Sequence, residues 1–131
     1  MAELSFQYDH VHLRTRDKQG TMSFYEKVFG ATRVVSEENG TRREYLEIAG
    51  VNLFFADASS APELPSAPTR PYIGLDHIGF RVDDVDATIE ELRGRGAIIF
   101  TEPKTIGSGA RIAFVQGPDG VRIEIIRREP A

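Results

Sequence analysis

Two stretches of alternating hydrophobic and polar residues, 67 positions apart, share a pattern of residues: "YDHVHLRTRD" at 8–17 and "LDHIGFRVDD" at 75–84. Alternation with a period of two predicts a strand with one buried face. The hydrophobic Val11 and Leu13 recur as Ile78 and Phe80. The polar Asp9, His10, Arg14 and Asp17 recur as Asp76, His77, Arg81 and Asp84. We therefore predict that one strand is repeated, over about 6–15 and 75–82.

A helical pattern follows each of these strands. In "DKQGTMSFYEKVFGA" the positions at helical spacing are Thr21, Phe24, Tyr25 and Val28, and in "DDVDATIEELRGRGA" they are Val85, Ile89 and Leu92. Gly30 and Gly96 are the expected helix ends, because glycine adopts the left-handed conformation that terminates helices.

Three short strand patterns complete each copy. The first copy ends with "TRVVSEENGTRREYLEIAGVNLFFAD", in which Asn39-Gly40 predicts a tight turn, and the second with strands around "AIIF", "ARIAFV" and "VRIEIIRR". Four prolines predict an extended connector over 58–73. We predict the α+β class and a single domain over 1–131, with βαβββ modules at about 6–57 and 74–128. The strands are expected to form an open, curled, barrel-like mixed sheet with the helices outside.

Composition narrows the function. The chain of 131 residues has a net charge of −4, which favours neither nucleic acid nor an anionic membrane as partner. It has no apolar run of membrane-spanning length and no recognisable signal peptide, so a cytoplasmic location is expected. The chain has no cysteine, so any metal site must use His, Asp or Glu.

Strand alternation assigns the polar candidates to one face. The apolar Ile78 and Phe80 are expected to face the helix, so His77 faces away, and the same reasoning places His10. In the last strand Ile123 and Ile125 are apolar, which leaves Glu124 on the helix-free face. Two imidazoles and one carboxylate are typical of a catalytic divalent-metal site that keeps open coordination positions. A pair of ordinary structural histidines is the simpler alternative.

Other side chains on this face are candidates for catalysis or substrate binding. His12 is a possible fourth ligand, acid or base, or only a wall of the cavity. Glu47 is the candidate proton-transfer carboxylate, with Glu44 in its place if the register is shifted by one, and a solvated rim charge is the alternative. The predicted substrate-binding residues are Phe54, Tyr45 and Arg122, and also Arg111, which is not assigned to a face and flanks the glycine-rich bend "TIGSGA". Arg122 could instead pair with a glutamate, and the bend could be an ordinary glycine hairpin.

The sequence resembles the vicinal oxygen chelate superfamily, which includes glyoxalase I, extradiol dioxygenases and the fosfomycin- and bleomycin-resistance proteins. The matching stretches are "DHVHLRTRD" with "SFYEKVFGA", then "LDHIGFRVDD", "IAFVQGPDG" and "VRIEII". The resemblance implies that ligand positions fall at His10, Phe54, His77 and Glu124. A glyoxalase I has a metal-binding, proton-transferring glutamate where this chain has Phe54. The fosfomycin proteins have a tyrosine where this chain has Ala113.

The resemblance implies a divalent-metal-dependent lyase or isomerase, acting on a small substrate that chelates the metal through oxygens. The metal would be Ni, Zn, Fe, Mn or Co. Alternatives are an extradiol-type dioxygenase, an epoxide-opening resistance enzyme, and a non-catalytic drug- or metabolite-binding protein. A homodimer is expected, because such modules leave sheet edges that can pair with a second copy.

Overall fold

The computed structural model describes residues 3–129, which form two compact units that divide between Ser60 and Ala61. The first unit contains β1 (His10–Thr15), α1 (Lys18–Phe29), β2 (Thr32–Glu38), β3 (Thr41–Ile48) and β4 (Val51–Asp57). The second contains β5 (Ile78–Arg81), α2 (Val85–Gly94), β6 (Ile98–Thr105), β7 (Arg111–Gln116) and β8 (Arg122–Arg127), with a 3₁₀ turn at Pro118–Gly120 before β8. The predicted α+β class and paired βαβββ modules are confirmed.

Within residues 3–129 the strands form two mixed four-stranded sheets, one in each unit, and neither sheet closes on itself. Their orders are β1-β4-β3-β2 and β5-β8-β7-β6. In each sheet the first strand of the module pairs in parallel with the last, and the remaining pairs are antiparallel. The first and fourth strands of each module are therefore neighbours, and the candidate ligand positions lie on these strands or, for His77, immediately before one of them.

Both repeated strands begin later than predicted. β1 starts at His10 and β5 at Ile78, so residues 6–9 and 75–77 lie outside the sheets. His77 therefore immediately precedes its strand. Within the described residues, no helix is long and apolar enough to cross a membrane.

Each helix is capped by the aspartate that recurs in the repeat. The Asp17 carboxylate accepts a hydrogen bond from the Gly20 N–H at 3.0 Å, and the Asp84 carboxylate accepts one from the Ala87 N–H at 3.0 Å. Gly30 ends α1 in the left-handed conformation with a φ of 70°, as predicted. The repetition of these aspartates thus has a structural reason, because helix N-termini leave N–H groups that need acceptors.

Each helix buries its apolar side. In the first unit Met22, Tyr25 and Val28 of α1 are buried, as are Leu46 and Leu53 of the sheet. In the second unit the buried residues include Val85, Ile89 and Leu92 of α2 and Phe80, Ile123 and Ile125 of the sheet. α1 packs against β3 and β4, and α2 packs against β6, β7 and β8. The opposite face of each sheet is left for the polar candidates.

Candidate functional site

The polar candidates of the first unit share one face of its sheet. His10 of β1 pairs with Asn52 of the neighbouring strand β4, and Asn52 pairs in turn with Glu47 of β3. Because directly paired residues point to the same side of a sheet, Glu47 lies on the face of His10. Two residues further along, His12 of β1 pairs with Phe54 of β4, and the Tyr45 ring contacts the Phe54 ring.

Glu44 lies on the other face and is engaged there. Its carboxylate contacts Arg42 at 3.1 Å and Arg33 at 3.7 Å, and it accepts a hydrogen bond from Gln19 of α1 at 3.5 Å. The hydrogen bond from Arg42 is the main reason why the pKa of Glu44 is lowered. The register therefore leaves Glu47, not Glu44, on the face of His10.

Phe54 is at the centre of an aromatic cluster on this face. Its ring stacks on His10 with centroids 4.5 Å apart and an interplanar angle of 15°. His12 and Tyr45 meet its edge or face at centroid distances of 6.5 and 5.1 Å, and the Arg43 guanidinium lies 5.5 Å from its centroid. A depression of about 210 Å³ is lined by His12, Lys18, Arg42, Arg43, Glu44, Tyr45, Phe54 and Phe55. Phe54 thus gives this face an apolar platform beside a histidine.

The second unit brings His77 and Glu124 together. The Nε2 atom of His77 lies 3.7 Å from Oε1 of Glu124, whose side chain is only 15% exposed. Glu124 is opposite Gly79 on β5, and Phe114 of β7 packs edge-on against the His77 ring at 5.1 Å. Because Gly79 has no side chain, nothing from that position covers the carboxylate.

Each candidate histidine is hydrogen-bonded to the aspartate that precedes it. Nδ1 of His10 lies 2.7 Å from Asp9, and Nδ1 of His77 lies 2.8 Å from Asp76. Metal-binding histidines commonly donate a hydrogen bond from the N–H of their second ring nitrogen to a carboxylate in this way, which fixes the tautomer and leaves Nε2 free as a ligand. The repeated Asp-His pair therefore has the chemistry of a metal ligand with its supporting carboxylate.

The geometry of the second unit fits a divalent metal. Two donor atoms that each bond one metal ion at about 2.1 Å are roughly 3.0–3.4 Å apart at angles of about 90–110°. The 3.7 Å between His77 Nε2 and Glu124 Oε1 is close to that range, and a small side-chain rotation covers the difference. Within residues 3–129, no group of three or more His, Asp or Glu side chains is gathered closely enough to hold a metal ion. The structure thus assembles two of the three predicted ligands, and His10 lies in the first unit.

Arg70 was not identified from the sequence, yet it contacts the site directly. Its guanidinium donates hydrogen bonds to the carbonyl oxygen of Asp76 at 2.6 Å, to Asp76 Oδ1 at 3.1 Å and to the Gly120 carbonyl at 3.2 Å. The hydrogen bond from His77, aided by the charge of Arg70, holds the pKa of the Asp76 carboxyl below its usual range. Asp76 is therefore a carboxylate at neutral pH, which means that His77 donates its Nδ1 proton to it.

The two arginines predicted to bind substrate have different surroundings. Arg111 donates two hydrogen bonds to Asp86 of α2, at 2.6 and 2.7 Å, so its guanidinium is already occupied on the helix side. Arg122 instead lies over the ring of Phe100, with its central carbon 3.8 Å from the centroid. A depression of about 210 Å³ is lined by Arg70, Phe100, Gln116, Gly120, Val121 and Arg122. Of the two, Arg122 is the one next to an open space.

Comparison with known proteins identifies the family. The family model described as "Glyoxalase/Bleomycin resistance protein/Dioxygenase superfamily" matches residues 7–125. The chain belongs to this superfamily.

Relatives and solved structures agree with this membership. The chain is 30% identical to a probable lactoylglutathione lyase of Vibrio cholerae, over 93% of this chain and 91% of that protein. It is 31% identical to a lactoylglutathione lyase of Haemophilus influenzae, over 92% and 91%. A crystal structure of a glyoxalase/bleomycin resistance protein/dioxygenase from Nocardioides has the same fold, with a TM-score of 0.72 at 22% identity over 99% of this chain and 89% of that one.

Proposed function

We propose that this glyoxalase-family chain is a divalent-metal-dependent lyase or isomerase whose metal is bound by His10, His77 and Glu124. The observation that carries the proposal is the arrangement of Asp76, His77 and Glu124, in which a carboxylate supports the histidine and a second carboxylate lies 3.7 Å from its free nitrogen. The lactoylglutathione lyases among the relatives support a lyase or isomerase reaction. His10 is the third ligand in this proposal because its Nδ1 has the same aspartate support.

The substrate in this proposal is a small molecule with two adjacent oxygens. A divalent cation, when bound, polarises such oxygens and stabilises the anion that forms when a neighbouring carbon loses a proton. The chain's own residues hold the cation, orient the substrate and move the proton. Phe54 and Tyr45 supply an apolar wall beside His10, and Arg122 is the candidate partner for an anionic group.

Proton transfer requires a base other than residue 54, because Phe54 cannot accept a proton. His12 is the nearer candidate, with its ring centroid 6.3 Å from that of His10. Glu47 shares the face but lies two strands away from His10, a backbone separation of about 9–10 Å. We propose His12 or Glu47 as the base, and the variants His12→Gln and Glu47→Gln distinguish them, because only the loss of the base abolishes proton exchange in the substrate.

An extradiol-type dioxygenase is the second candidate function. The observation that favours it is the stack of Phe54 on His10, since a phenyl ring stands where a fourth ligand and proton-transferring carboxylate would be. A His, His, Glu set is the usual facial triad of non-haem Fe(II) oxygenases. In that case iron would be the native metal and a catechol the substrate.

We also propose that the protein is a homodimer. Phe6 and Tyr8 are 87% and 67% exposed, and the residues at the equivalent places in the repeat, Ile73 and Leu75, are 103% and 88% exposed. Large apolar side chains exposed this fully favour burial in an interface. A second copy is the proposed partner, because a two-fold interface is self-complementary and the repeat supplies two similar apolar segments.

The decisive experiment measures bound metal and reaction type together. Elemental analysis of the wild type should find a divalent transition metal, and His10→Ala, His77→Ala and Glu124→Ala should each lose most of it. Glu102→Ala is the matched control, since Glu102 is an exposed glutamate paired with Arg93 and should retain the metal. Full metal retention in His77→Ala and Glu124→Ala would rule out the ligand assignment.

The same preparations separate the candidate reactions. Metal-dependent loss of a glutathione hemithioacetal, or entry of solvent deuterium into a substrate, identifies a lyase or isomerase. Oxygen consumption with catechols identifies the dioxygenase instead. Tight ligand binding that a chelator does not change would indicate a protein that only binds its ligand.

A further inference from the structure

Arg70 connects the two segments that lead to His77 and Glu124. In the sequence it belongs to the connector before β5, which forms neither helix nor strand there, and its side chain is only 17% exposed. One end of its guanidinium binds the residue before His77, and the other binds Gly120, at the end of the turn that precedes β8. The planar guanidinium of Arg70 thus holds both the residue before His77 and the turn that leads to the strand of Glu124.

The two oxygens of the Asp76 carboxylate have different partners. Oδ1 accepts from Arg70 at 3.1 Å, and Oδ2 accepts from Nδ1 of His77 at 2.8 Å. Because Arg70 also binds the backbone carbonyl of Asp76, both the main chain and the carboxylate plane are held. Oδ2 is therefore directed at Nδ1, and this leaves the Nε2 lone pair of His77 on the side of Glu124.

The first copy of the repeat lacks this support. His10 has the same contact with Asp9, but the Asp9 side chain is 85% exposed and has no arginine partner in the described part of the chain. Residue 3, the equivalent of Arg70 at the 67-residue offset, is a glutamate. The repeat therefore does not require the arginine, so the contact is a specific feature of the second unit.

We infer that Arg70 is a positioning residue for His77: it locks the Asp76 carboxylate, which holds His77 in the Nδ1-protonated tautomer with Nε2 free to bind metal. The inference rests on the proposed function, because it assigns His77 to the metal. A purely structural anchor would hold the connector without affecting the state of the imidazole. If Arg70 is a positioning residue, its effect on His77 depends on Asp76. If Arg70 is only an anchor, its effect does not depend on the Asp76 carboxylate.

Arg70→Lys tests this directly, because lysine keeps the charge and loses the planar fork. We expect metal affinity, measured by competition with a chromogenic chelator, to fall about tenfold, the lower end of the range for outer-shell partners. In metal-free protein labelled with ¹⁵N, two-dimensional NMR should show that the share of His77 protonated at Nε2 rises. Arg95→Lys is the control, because Arg95 pairs with Glu91 on α2, and it should change neither quantity.

A double-mutant cycle with Asp76→Asn separates positioning from anchoring. If Arg70 acts through Asp76, Arg70→Lys should change metal affinity by less than about twofold once Asp76 is replaced. An equal loss in both backgrounds, or wild-type affinity and tautomer in Arg70→Lys, would overturn the inference. If the wild type binds no metal, the proposed function fails, whereas the tautomer measurement still decides the role of Arg70.

Discussion

Positions 54 and 124 are equivalent in the repeat but carry residues of opposite character. Aligning Gly50 with Gly120 places Phe54 where the second copy has Glu124. In one unit an aromatic ring stacks on the histidine, and in the other a carboxylate lies beside it. In the proposed site, the phenylalanine at position 54 therefore leaves three potential protein ligands where a carboxylate at that position would make four.

Phe54→Glu should convert the first unit into a copy of the second. A glutamate at this position is expected to reach Nε2 of His10, as Glu124 approaches Nε2 of His77, and to raise metal affinity at least about tenfold. Chelator competition measures the change. Phe54→Leu is the control, because it removes the ring without adding a ligand. Equal affinities in the two variants would show that position 54 does not face the metal.

At the residue scale, the sequence predicts the sheet face to which a side chain points better than it predicts the residues that the side chain contacts. Alternation correctly placed His10, His12, Tyr45 and Glu47 on one face, because neighbouring residues of a strand point to opposite sides. Arg70 was not predicted, because it lies in a connector that has no periodicity. Its partners are six and fifty residues away, and no local pattern links them.

At the scale of the single element, the aspartates that recur in the repeat stabilise the two helices by capping their N-termini. Asp84→Ala removes the acceptor for the Ala87 N–H and should lower the free energy of unfolding by about 1 kcal/mol. Urea unfolding followed by circular dichroism measures the change. Asp83→Ala removes the same charge one residue earlier without removing the cap. A loss of similar size in that variant would attribute the effect to net charge.

The ion pair between Arg111 and Asp86 links β7 to α2 and should make the second unit sensitive to acid. The hydrogen bonds from Arg111 lower the pKa of Asp86 below its ordinary value of 3.8. A depressed carboxyl pKa stabilises the folded state above the ordinary value, and this stabilisation is lost as the pH falls through the folded pKa. Asp86→Asn should therefore be less stable than the wild type at pH 7.

The stability difference between wild type and Asp86→Asn should shrink as the pH falls below 3.8 and through the lowered pKa of Asp86, because the wild-type carboxyl then also becomes neutral. Thermal unfolding at several pH values tests this. Glu90→Gln is the control, since Glu90 is an exposed glutamate on the same helix. A difference that persists unchanged at low pH would mean that the ion pair is not its source.

Strand boundaries deviated from prediction where hydrogen-bond partners are missing. The predicted strand reaches back to about residue 6, but β4 begins at Val51 and its pairing with β1 begins at His10 opposite Asn52. By contrast, β6 is longer than the predicted strand "AIIF". It continues through Pro103 to Thr105, with register shifts between Ile99 and Thr105. A hydrophobic pattern shows which face is buried, whereas a strand also needs a neighbour.

At the scale of the whole molecule, repetition was the strongest signal in the sequence. It predicted paired βαβββ modules, and the structure has two of them with the same strand order. It did not predict the order of the strands within each sheet. The reason is physical: alternation reports burial of side chains, and the pairing of strand edges is made by backbone groups that every residue carries.

The exposed apolar residues before β1 and β5 lead to a prediction about assembly. If they are buried between two copies, light scattering after size-exclusion chromatography should find twice the chain mass of 14.6 kDa for the wild type. The double variant Phe6→Ser with Ile73→Ser should shift toward the monomer, because it removes an apolar side chain from each segment.

Ile106→Ser is the matched control for this experiment. Ile106 is a less exposed apolar residue, at 38%, and belongs to the turn between β6 and β7 rather than to either segment. We expect it to remain dimeric. A wild type that runs as a monomer at micromolar concentration would refute the dimer, and a double variant that stays dimeric would place the interface elsewhere. The sheet edges β2 and β6 would then be the next surfaces to test, because edge strands carry unpaired backbone groups.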